Sequence, residues 1–391
     1  MDSGDATSNK RRKNLEAREN LTATLVTQAE DLAALEPAWR DLAGRVARPQ
    51  PFLTYEWAST WWRHFGDRGG RRLRVVVVRD RDGRVVGIAP LFRVGWPVPR
   101  LAVIGTGHSD YLEVLVDGGE ESRSDAIIAK MAETLAKLPA RDWVVLALDQ
   151  VPAGSPTAEF LSDVASRAGW LVKTIPGEIC PYLPLPRSWD ELAETIGKKM
   201  RKNLDYYWRR IEREHRLAIV APGRDDVAAI GPLLDRFFLL HERRWHQRWM
   251  PGSFFLPRVL AFHRDVAKAM AEGDKLRLVG LAIDGEVVAV QYLFAAGDAL
   301  FYYSGGFDPS WGWAGPGTLL LGQVIKGAIA EGRRVFDFLR GREEYKARWT
   351  QRERQNSRFI VARPGLAGSI ALRWLARETE IIVKLKKRFV Q

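Results

Sequence analysis

The apolar positions of the chain are most informative between residues 276 and 340. Two runs rich in Val, Leu and Ile, Leu276–Ile283 and Glu286–Ala295, are separated by Asp284-Gly285. An Asp-Gly pair between two such runs favours a type I′ turn, in which both central residues take a left-handed backbone. The pattern therefore predicts an antiparallel hairpin.

The same region continues with segments that predict a third strand, a loop, a helix and a fourth strand, at Ala299–Gly306, Trp311–Thr318, Leu319–Ala330 and Arg333–Arg340. Gly332, just past the apolar run, is typical of a helix C-terminus. The loop contains Gly315-Pro316-Gly317. Glycines before a helix let backbone N–H groups approach an anion, and the helix dipole favours its charge. The loop is therefore a candidate phosphate site.

An earlier part of the chain repeats this plan. The first half predicts strands and helices at Leu21–Thr27, Ala29–Val46, Tyr55–Phe65, Arg72–Arg79, Arg84–Arg93, Leu101–Gly105, Tyr111–Val116, Ser122–Leu138 and Asp142–Leu148. The second half opens with Leu217–Ala221 and two helices, Asp226–Trp249 and Pro257–Glu272. Two similar halves are the expected architecture.

A chain of 391 residues is long enough for two domains with real cores. The first residues are polar and lack the apolar segment of a signal peptide. We expect a disordered tail, an N-terminal domain, a basic linker helix, a C-terminal catalytic domain and an amphipathic C-terminal helix, at residues 1–20, 21–186, 187–216, 217–362 and 363–391.

Composition narrows the class of protein. Hydrophobic residues make up 46%, which predicts a globular chain, and no apolar run is long enough to predict a transmembrane helix. The single cysteine, Cys180, excludes an internal disulfide and fits a reducing cytoplasm. His241 and His246 are five residues apart, which places them on different helix faces, so no metal site is predicted.

The net charge of +12 points to an anionic partner, or to an Arg-rich composition without a specific partner. The segment from Lys198 to Arg216 contains eight Lys and Arg but three acidic residues. We expect this helix to bind an anionic acceptor or to be a solvated linker. The C-terminal stretch Ser369–Gln391 is amphipathic; it docks on the body of the protein or lies on an anionic membrane surface.

The order of strand, two helices, three antiparallel strands, glycine loop, helix and strand resembles the GNAT N-acetyltransferase core. Two halves in tandem resemble FemAB-type aminoacyl transferases, and more closely the bacterial acetyltransferases associated with cellulose biosynthesis, the CelD group. The resemblance covers roughly residues 21–362. In the GNAT loop pattern, Arg/Gln-x-x-Gly-x-Gly/Ala, the glycines match Gly315 and Gly317, whereas Gly312 stands at the leading position.

This resemblance implies an α/β (α+β) fold of two GNAT-like domains, each a mixed, mainly antiparallel sheet flanked by helices. It also implies acetyl-CoA or another acyl-CoA as co-substrate, with no metal. In the first half the corresponding segment, Asp117–Ser122, contains two adjacent glutamates that would repel a phosphate, although they suit the helix dipole. The first half is therefore expected to be a degenerate copy.

Acyl transfer to an amine needs a base for the amine proton and a donor for the oxyanion. The candidates for the base are Glu242, Asp308, Asp337 and Tyr345. Asp337 alternates with Phe336 and Phe338, so it points to the face opposite two large apolar residues. The alternative is a strand-end residue in a solvated or salt-bridged position. Glu242, like Arg244, also fits a solvated helix face. The resemblance implies that Tyr345 acts as acid for the leaving thiolate; a core or lid position is the alternative.

The expected contacts to the acyl donor are Gly315, Pro316, Gly317, Thr318, Arg340 and Lys346. The two cations suit phosphate or carboxylate groups. A structural alternative is that the glycines only let the loop pass beneath Trp311 and Trp313, and that the segment after residue 340 binds no ligand.

The predicted function is N-acyl transfer from an acyl-CoA to an amine of a glycan precursor, which can be anionic, or of a small metabolite, in exopolysaccharide or envelope synthesis in the cytoplasm. One alternative is FemAB-like transfer from aminoacyl-tRNA, which the basic helix would serve. Another is a non-catalytic scaffold of polysaccharide assembly.

Overall fold

A computed structural model describes residues 20–66, 68–95, 98–119, 121–155, 157–158, 169–223, 226–246 and 254–390. The predicted disordered tail lies outside these residues, except for Asn20. The chain forms two compact units. Unit 1 comprises Met1–Glu178 and Gln355–Gln391, and unit 2 is Ile179–Arg354.

The first elements in chain order are β1 (Thr22–Val26), α1 (Ala29–Ala34), α2 (Glu36–Ala43), a 3₁₀ turn (Pro51–Leu53), α3 (Tyr55–Phe65), β2 (Arg72–Leu73), β3 (Val75–Arg79), β4 (Val85–Ala89), β5 (Leu91–Val94), β6 (Arg100–Val103), β7 (Leu115–Val116), α4 (Glu121–Lys137) and β8 (Val145–Pro152). The remaining elements are β9 (Leu171–Pro184), α5 (Trp189–Thr195), α6 (Lys198–Glu214), β10 (Leu217–Val220), α7 (Val227–His246), α8 (Pro257–Glu272), β11 (Leu276–Ile283), β12 (Glu286–Ala296), β13 (Ala299–Phe307), a second 3₁₀ turn (Pro309–Ala314), α9 (Pro316–Ala330), β14 (Val335–Asp337), α10 (Glu344–Ala347), β15 (Glu353–Ala362) and α11 (Leu366–Val390).

The boundaries of the units differ from the predicted ones for two physical reasons. The segment predicted as a linker forms α5 and α6, whose Leu192, Ile196 and Ile211 are buried in the core of unit 2. Strand β15 pairs antiparallel with β8 of unit 1. The end of the predicted C-terminal domain, from Gln355 onward, therefore belongs to unit 1.

Unit 1 contains a four-stranded antiparallel sheet in the order β1-β3-β4-β7. In a second set of strands β2, β5 and β6 pair antiparallel, β6 pairs parallel with β8, and β8 pairs antiparallel with β15. The interior of unit 1 contains four fully buried tryptophans, Trp39, Trp57, Trp61 and Trp143.

In unit 2, β10, β11, β12 and β13 form an antiparallel meander, and α9 leads to β14, which is parallel to β13. The predicted turn is present, since Asp284 and Gly285 have φ of +51° and +88°. Successive side chains of β12 point to opposite faces. Leu293 packs with the core that contains α9, while Tyr292 packs against Phe237 of α7. The predicted mixed, mainly antiparallel GNAT fold is confirmed.

Strand β13 separates from β14 partway along its length. The two strands pair only from Ala299 to Phe301, although β13 continues to Phe307. The register of β13 with β12 also shifts at Tyr303, the position of a β-bulge. Such bulges bend a strand and re-aim its side chains. One edge of β13 from Tyr302 onward is therefore left open beside the start of α9.

Candidate active site

A cleft lies where β13 leaves β14. Its lining comes from α7, β12, β13, the loop before α9, the start of α9 and α10: Arg244, Gln291, Tyr302, Gly305, Gly306, Phe307, Gly312, Gly315, Gly317, Thr318, Leu321 and Tyr345. Four of the residues predicted for the site are therefore brought together: Gly315, Gly317, Thr318 and Tyr345. Their roles remain predictions.

The glycine loop has an open side. Gly315 has φ of +61° and connects the 3₁₀ turn to α9, a left-handed conformation that favours glycine. A Cβ atom at Gly312 or Gly315 would meet nothing within 4 Å, whereas at Gly317 it would lie 3.2 Å from the Phe307 ring. Space for a ligand therefore exists above the first two glycines.

The loop offers fewer amide donors than its sequence indicates. The Thr318 amide donates to the Gly315 carbonyl at 2.9 Å, and the Gly315 amide donates to the Gly312 carbonyl at 3.2 Å. Pro316 has no N–H and starts α9, three residues before the predicted start. Among residues 315 to 318, all of which the structure describes, Gly317 is the one whose amide N–H makes no backbone hydrogen bond and can therefore bind an anion. The helix N-cap is Gly315, not Thr318.

Gln291 contributes a buried carbonyl to the cleft. Its side chain, on β12, is 2% exposed, and Nε2 donates to the Gly317 carbonyl at 3.0 Å. Its Oε1 makes no hydrogen bond of normal geometry with any described residue. An unsatisfied buried acceptor costs about 1–3 kcal/mol, so a ligand N–H that reaches it gains a preformed partner.

Two tyrosines are neighbours in the cleft, Tyr302 on β13 and Tyr345 on α10, with ring centres 6.4 Å apart. Burial raises the pKa of Tyr302 to about 12. Burial, followed by the neighbouring Tyr302, raises the pKa of Tyr345 well above its ordinary value. Both hydroxyls therefore keep their protons at neutral pH and can donate them. Gly305 leaves room for the pair, because a side chain there would collide with the Tyr302 hydroxyl.

Arg244 is the one charged side chain among the described residues that line the cleft. It is half-buried on α7, its guanidinium lies 5.4 Å from the centre of the Phe307 ring, and no described carboxylate forms an ion pair with it. The sequence placed Arg244 on a solvated helix face. It turns inward because Gly306 lets α7 approach β13: a Cβ at Gly306 would lie 2.7 Å from the His241 backbone nitrogen.

The three carboxylates predicted as candidate bases do not line the cleft. Asp337 is fully buried and accepts hydrogen bonds from Arg354 at 2.6 Å and from the Leu339 amide at 2.9 Å, which is the salt-bridged alternative. Glu242 is exposed on α7. Asp308 caps the second 3₁₀ turn through Ser310. Burial alone would raise its pKa, but hydrogen bonds from Ser310 and the charge of Arg243 hold the pKa below its ordinary value.

The two predicted phosphate-binding cations also differ from expectation. Lys346 is 3% exposed, and its ammonium donates to the Arg340 carbonyl at 2.8 Å and pairs with Glu343 at 2.8 Å. It therefore orders the loop before α10 and has little capacity left for a phosphate. Arg340 is half-buried and does not line the cleft.

The basic helix α6 lies beside the glycine loop. The guanidinium of Arg210 is 4.5 Å from the centre of the Trp313 ring, and the Tyr207 ring is 6.4 Å from the same ring. Trp313 is 45% exposed. An aromatic surface with adjacent cations is thus available next to the loop.

Among the described residues, no three His, Cys, Asp or Glu side chains lie close enough together to hold a metal ion. No helix in the same residues is long and apolar enough to cross a membrane.

Unit 2 has the fold of a GNAT-type acyltransferase domain. Residues 198–347, from α6 to α10, match the family model described as an acetyltransferase (GNAT) domain. No curated protein matches the chain.

Solved structures share the fold over most of the chain. FemX is 12% identical, with a TM-score of 0.58 over 87% of this chain and 96% of that one. A protein described as a lysylphosphatidylglycerol synthetase from Agrobacterium fabrum, represented by its C-terminal domain, is 12% identical, with a TM-score of 0.54 over 89% and 96%. L-PGS from Bacillus licheniformis is 12% identical, with a TM-score of 0.50 over the same shares. At such identities the likeness concerns the fold alone.

Proposed function

We propose that unit 2 transfers an acyl group from an acyl-CoA, with acetyl-CoA as the simplest donor, to a primary amine. The observation that carries this proposal is the meeting of the glycine loop, the open edge of β13 and the two neutral tyrosines in one cleft. The free Gly317 amide and the Arg244 charge suit the phosphates of the donor. The match of residues 198–347 to a GNAT domain supports the same reaction.

In this proposal the amine nitrogen attacks the thioester carbonyl carbon, a C–N bond forms, and the C–S bond breaks. Tyr345 gives its hydroxyl proton to the leaving thiolate, and the Tyr302 ring, which packs edge-to-face with the Tyr345 ring, keeps this side chain in place. No carboxylate lies among the described residues that line the cleft. The amine therefore enters as the free base, and its surplus proton passes to water, which also returns a proton to Tyr345.

Calorimetry with CoA and acetyl-CoA, together with mass spectrometry of an amine panel, tests the proposal. We expect saturable binding of both CoA species and acetylated amine in the presence of enzyme. Absence of binding and of product would overturn it, and only if aminoacyl-tRNA also fails to bind would the result support the scaffold alternative.

A second candidate, transfer from aminoacyl-tRNA, is favoured by one observation, the position of α6 beside the glycine loop. Replacement of the exposed cations Lys198, Lys199, Arg201 and Lys202 by alanine separates the two donors. Binding of tRNA would weaken strongly, because its affinity depends on neutralised phosphates. Binding of acetyl-CoA in the cleft would change little.

We further propose that the chain belongs to the CelD-type group and acts in the cytoplasm on a glycan precursor of exopolysaccharide or envelope synthesis. We also propose that the first half is a degenerate copy. For the last, Gly118 gives some support: a Cβ there would lie 2.7 Å from the Ala47 backbone nitrogen, so this glycine serves close packing.

A further inference from the structure

The C-terminal helix α11 has two apolar faces, of which one is covered. Ala371, Leu375 and Ala376 are buried and pack with residues of β8 and β15. The predicted docking of this helix on the body is therefore confirmed for unit 1. Docking accounts for only part of its apolar surface.

The second face carries three large apolar side chains that are open to solvent. Leu366 is 79% exposed, Ile370 is 57% exposed and Trp374 is 51% exposed. They are four residues apart, so they form one continuous stripe along the first half of the helix. Surface residues of this size are usually scattered singly, whereas a contiguous stripe marks a contact surface.

Positive charge accompanies the stripe. Arg373 and Arg377 are exposed on the same part of the helix. The sequence from Leu366 to Val390 contains six Lys and Arg against two glutamates. This combination suits an interface between lipid tails and anionic headgroups, since arginine can extend its charged end toward headgroups while apolar side chains enter the acyl region. Tryptophan is enriched at the same depth.

We propose that α11 binds the surface of an anionic membrane, with Leu366, Ile370 and Trp374 inserted at the headgroup boundary and the flanking cations on lipid phosphates. A protein partner would need a groove that is both apolar and acidic, whereas an anionic bilayer supplies both properties everywhere on its surface. The helix lies on the membrane and does not cross it. Acyl transfer would then take place near lipid-bound or membrane-bound acceptors.

Co-sedimentation of the full chain with vesicles tests this inference. The vesicles are phosphatidylcholine alone or with about one third phosphatidylglycerol, which gives the negative surface potential that attracts basic segments. We expect binding to the mixed vesicles, at most weak binding to phosphatidylcholine, and release as salt approaches about 1 M, where charge interactions are screened within about 3 Å.

The variant Ile370→Glu should lower the vesicle partition coefficient about tenfold, in line with the loss of one inserted apolar side chain and the addition of an anionic one. Ile219→Glu is the matched control, because Ile219 is also exposed, at 45%, but lies in unit 2 on β10. It should bind like the wild type.

Three results would overturn the inference. The first is the absence of wild-type binding to the anionic vesicles, and the second is an equal loss of binding in both variants. The third is a change of oligomeric state in Ile370→Glu without any change in vesicle binding, which would show that the stripe contacts a second copy of the chain. Acetyl-CoA binding measured on the same samples is independent of all these outcomes, so the proposed reaction and the membrane contact succeed or fail separately.

Discussion

The Asp337 carboxylate lies 2.6 Å from a guanidinium nitrogen of Arg354, and the same guanidinium lies 4.0 Å from the centre of the Tyr182 ring. The carboxylate is fully buried and the arginine is 34% exposed. One ion pair thus joins β14 to β15, and a cation–ring contact of the same arginine extends the link to β9. This geometry favours a structural role for Asp337 over the catalytic one that the sequence predicted.

We therefore predict that Asp337→Asn lowers the free energy of unfolding by about 1–3 kcal/mol, less than for a fully buried pair because Arg354 is partly solvated. Urea denaturation measures this loss. The turnover number per folded molecule should stay within about twofold, far from the 10²-fold or larger loss expected for a general base. A large loss of turnover at wild-type stability would instead make Asp337 catalytic.

The glycine loop offers a test of donor binding that does not disturb folding. Gly312 has open space around its Cβ position and no positive φ. We predict that Gly312→Val weakens acetyl-CoA binding about tenfold or more, roughly 1.4 kcal/mol, with an almost unchanged thermal midpoint.

Two matched variants complete this test. Gly119→Val in the first half also enters open space and should leave donor affinity unchanged. Gly315→Val should cost about 1–3 kcal/mol of stability, because valine does not fit φ of +61°. If Gly312→Val keeps full affinity, the donor does not use this loop.

The tyrosine pair predicts a specific dependence of the rate on pH. Tyr345→Phe should lower kcat about 10²-fold with little change in KM, because the proton donor acts in the transition state. Since burial raises the pKa of Tyr345 well above 10, the donor stays protonated at pH 7 to 10. The kcat profile should therefore show no alkaline decline in that range. A decline near pH 8 would assign the acid to another group.

His241 predicts a dependence of stability on pH. Burial, together with the charge of Arg244, lowers the pKa of His241 from 6.5 to about 4. As pH falls below 6.5, His241 becomes protonated in the unfolded chain but stays neutral in the folded protein. The free energy of unfolding therefore decreases until about pH 4 and then levels off.

The expected loss from His241 across this window is roughly 3 kcal/mol. Unfolding free energies of the wild type and of His241→Gln, compared from pH 4 to pH 7, measure it. The variant should be less stable at pH 7 but have a shallower slope. Parallel curves would show that His241 takes up its proton as readily in the folded protein as in the unfolded chain.

The sequence predicted features that depend on neighbours along the chain. The Asp284-Gly285 turn and helix α8 follow from local patterns, and the latter has the predicted ends. The glycine loop and Tyr345 were assigned to one site by their order relative to strands and by resemblance, and they line one cleft, while their roles stay predictions.

What the sequence did not predict depends on contacts between distant segments. Strand β9 was missed because its partner β14 is about 150 residues away and its own pattern has no hairpin signal. Arg244 was not assigned to the site because its orientation depends on how closely α7 approaches β13. Gln291 was missed because its hydrogen-bond partner, the Gly317 carbonyl, lies 26 residues further along the chain. The contacts of Lys346 were not predicted, because the residue type does not reveal that backbone carbonyl groups and Glu343 bind its ammonium.

The assignment of β15 to unit 1 has a consequence for the order in which the nascent protein can fold. Unit 2 is one continuous stretch, so it can fold as soon as it leaves the ribosome. Unit 1 must wait, because β8 obtains its neighbour β15 only when the last tenth or so of the chain is made. Until then β8 presents an open edge, the kind of surface that pairs with other chains. Translation that stops after Arg354 would therefore yield a folded second unit attached to an aggregation-prone first unit.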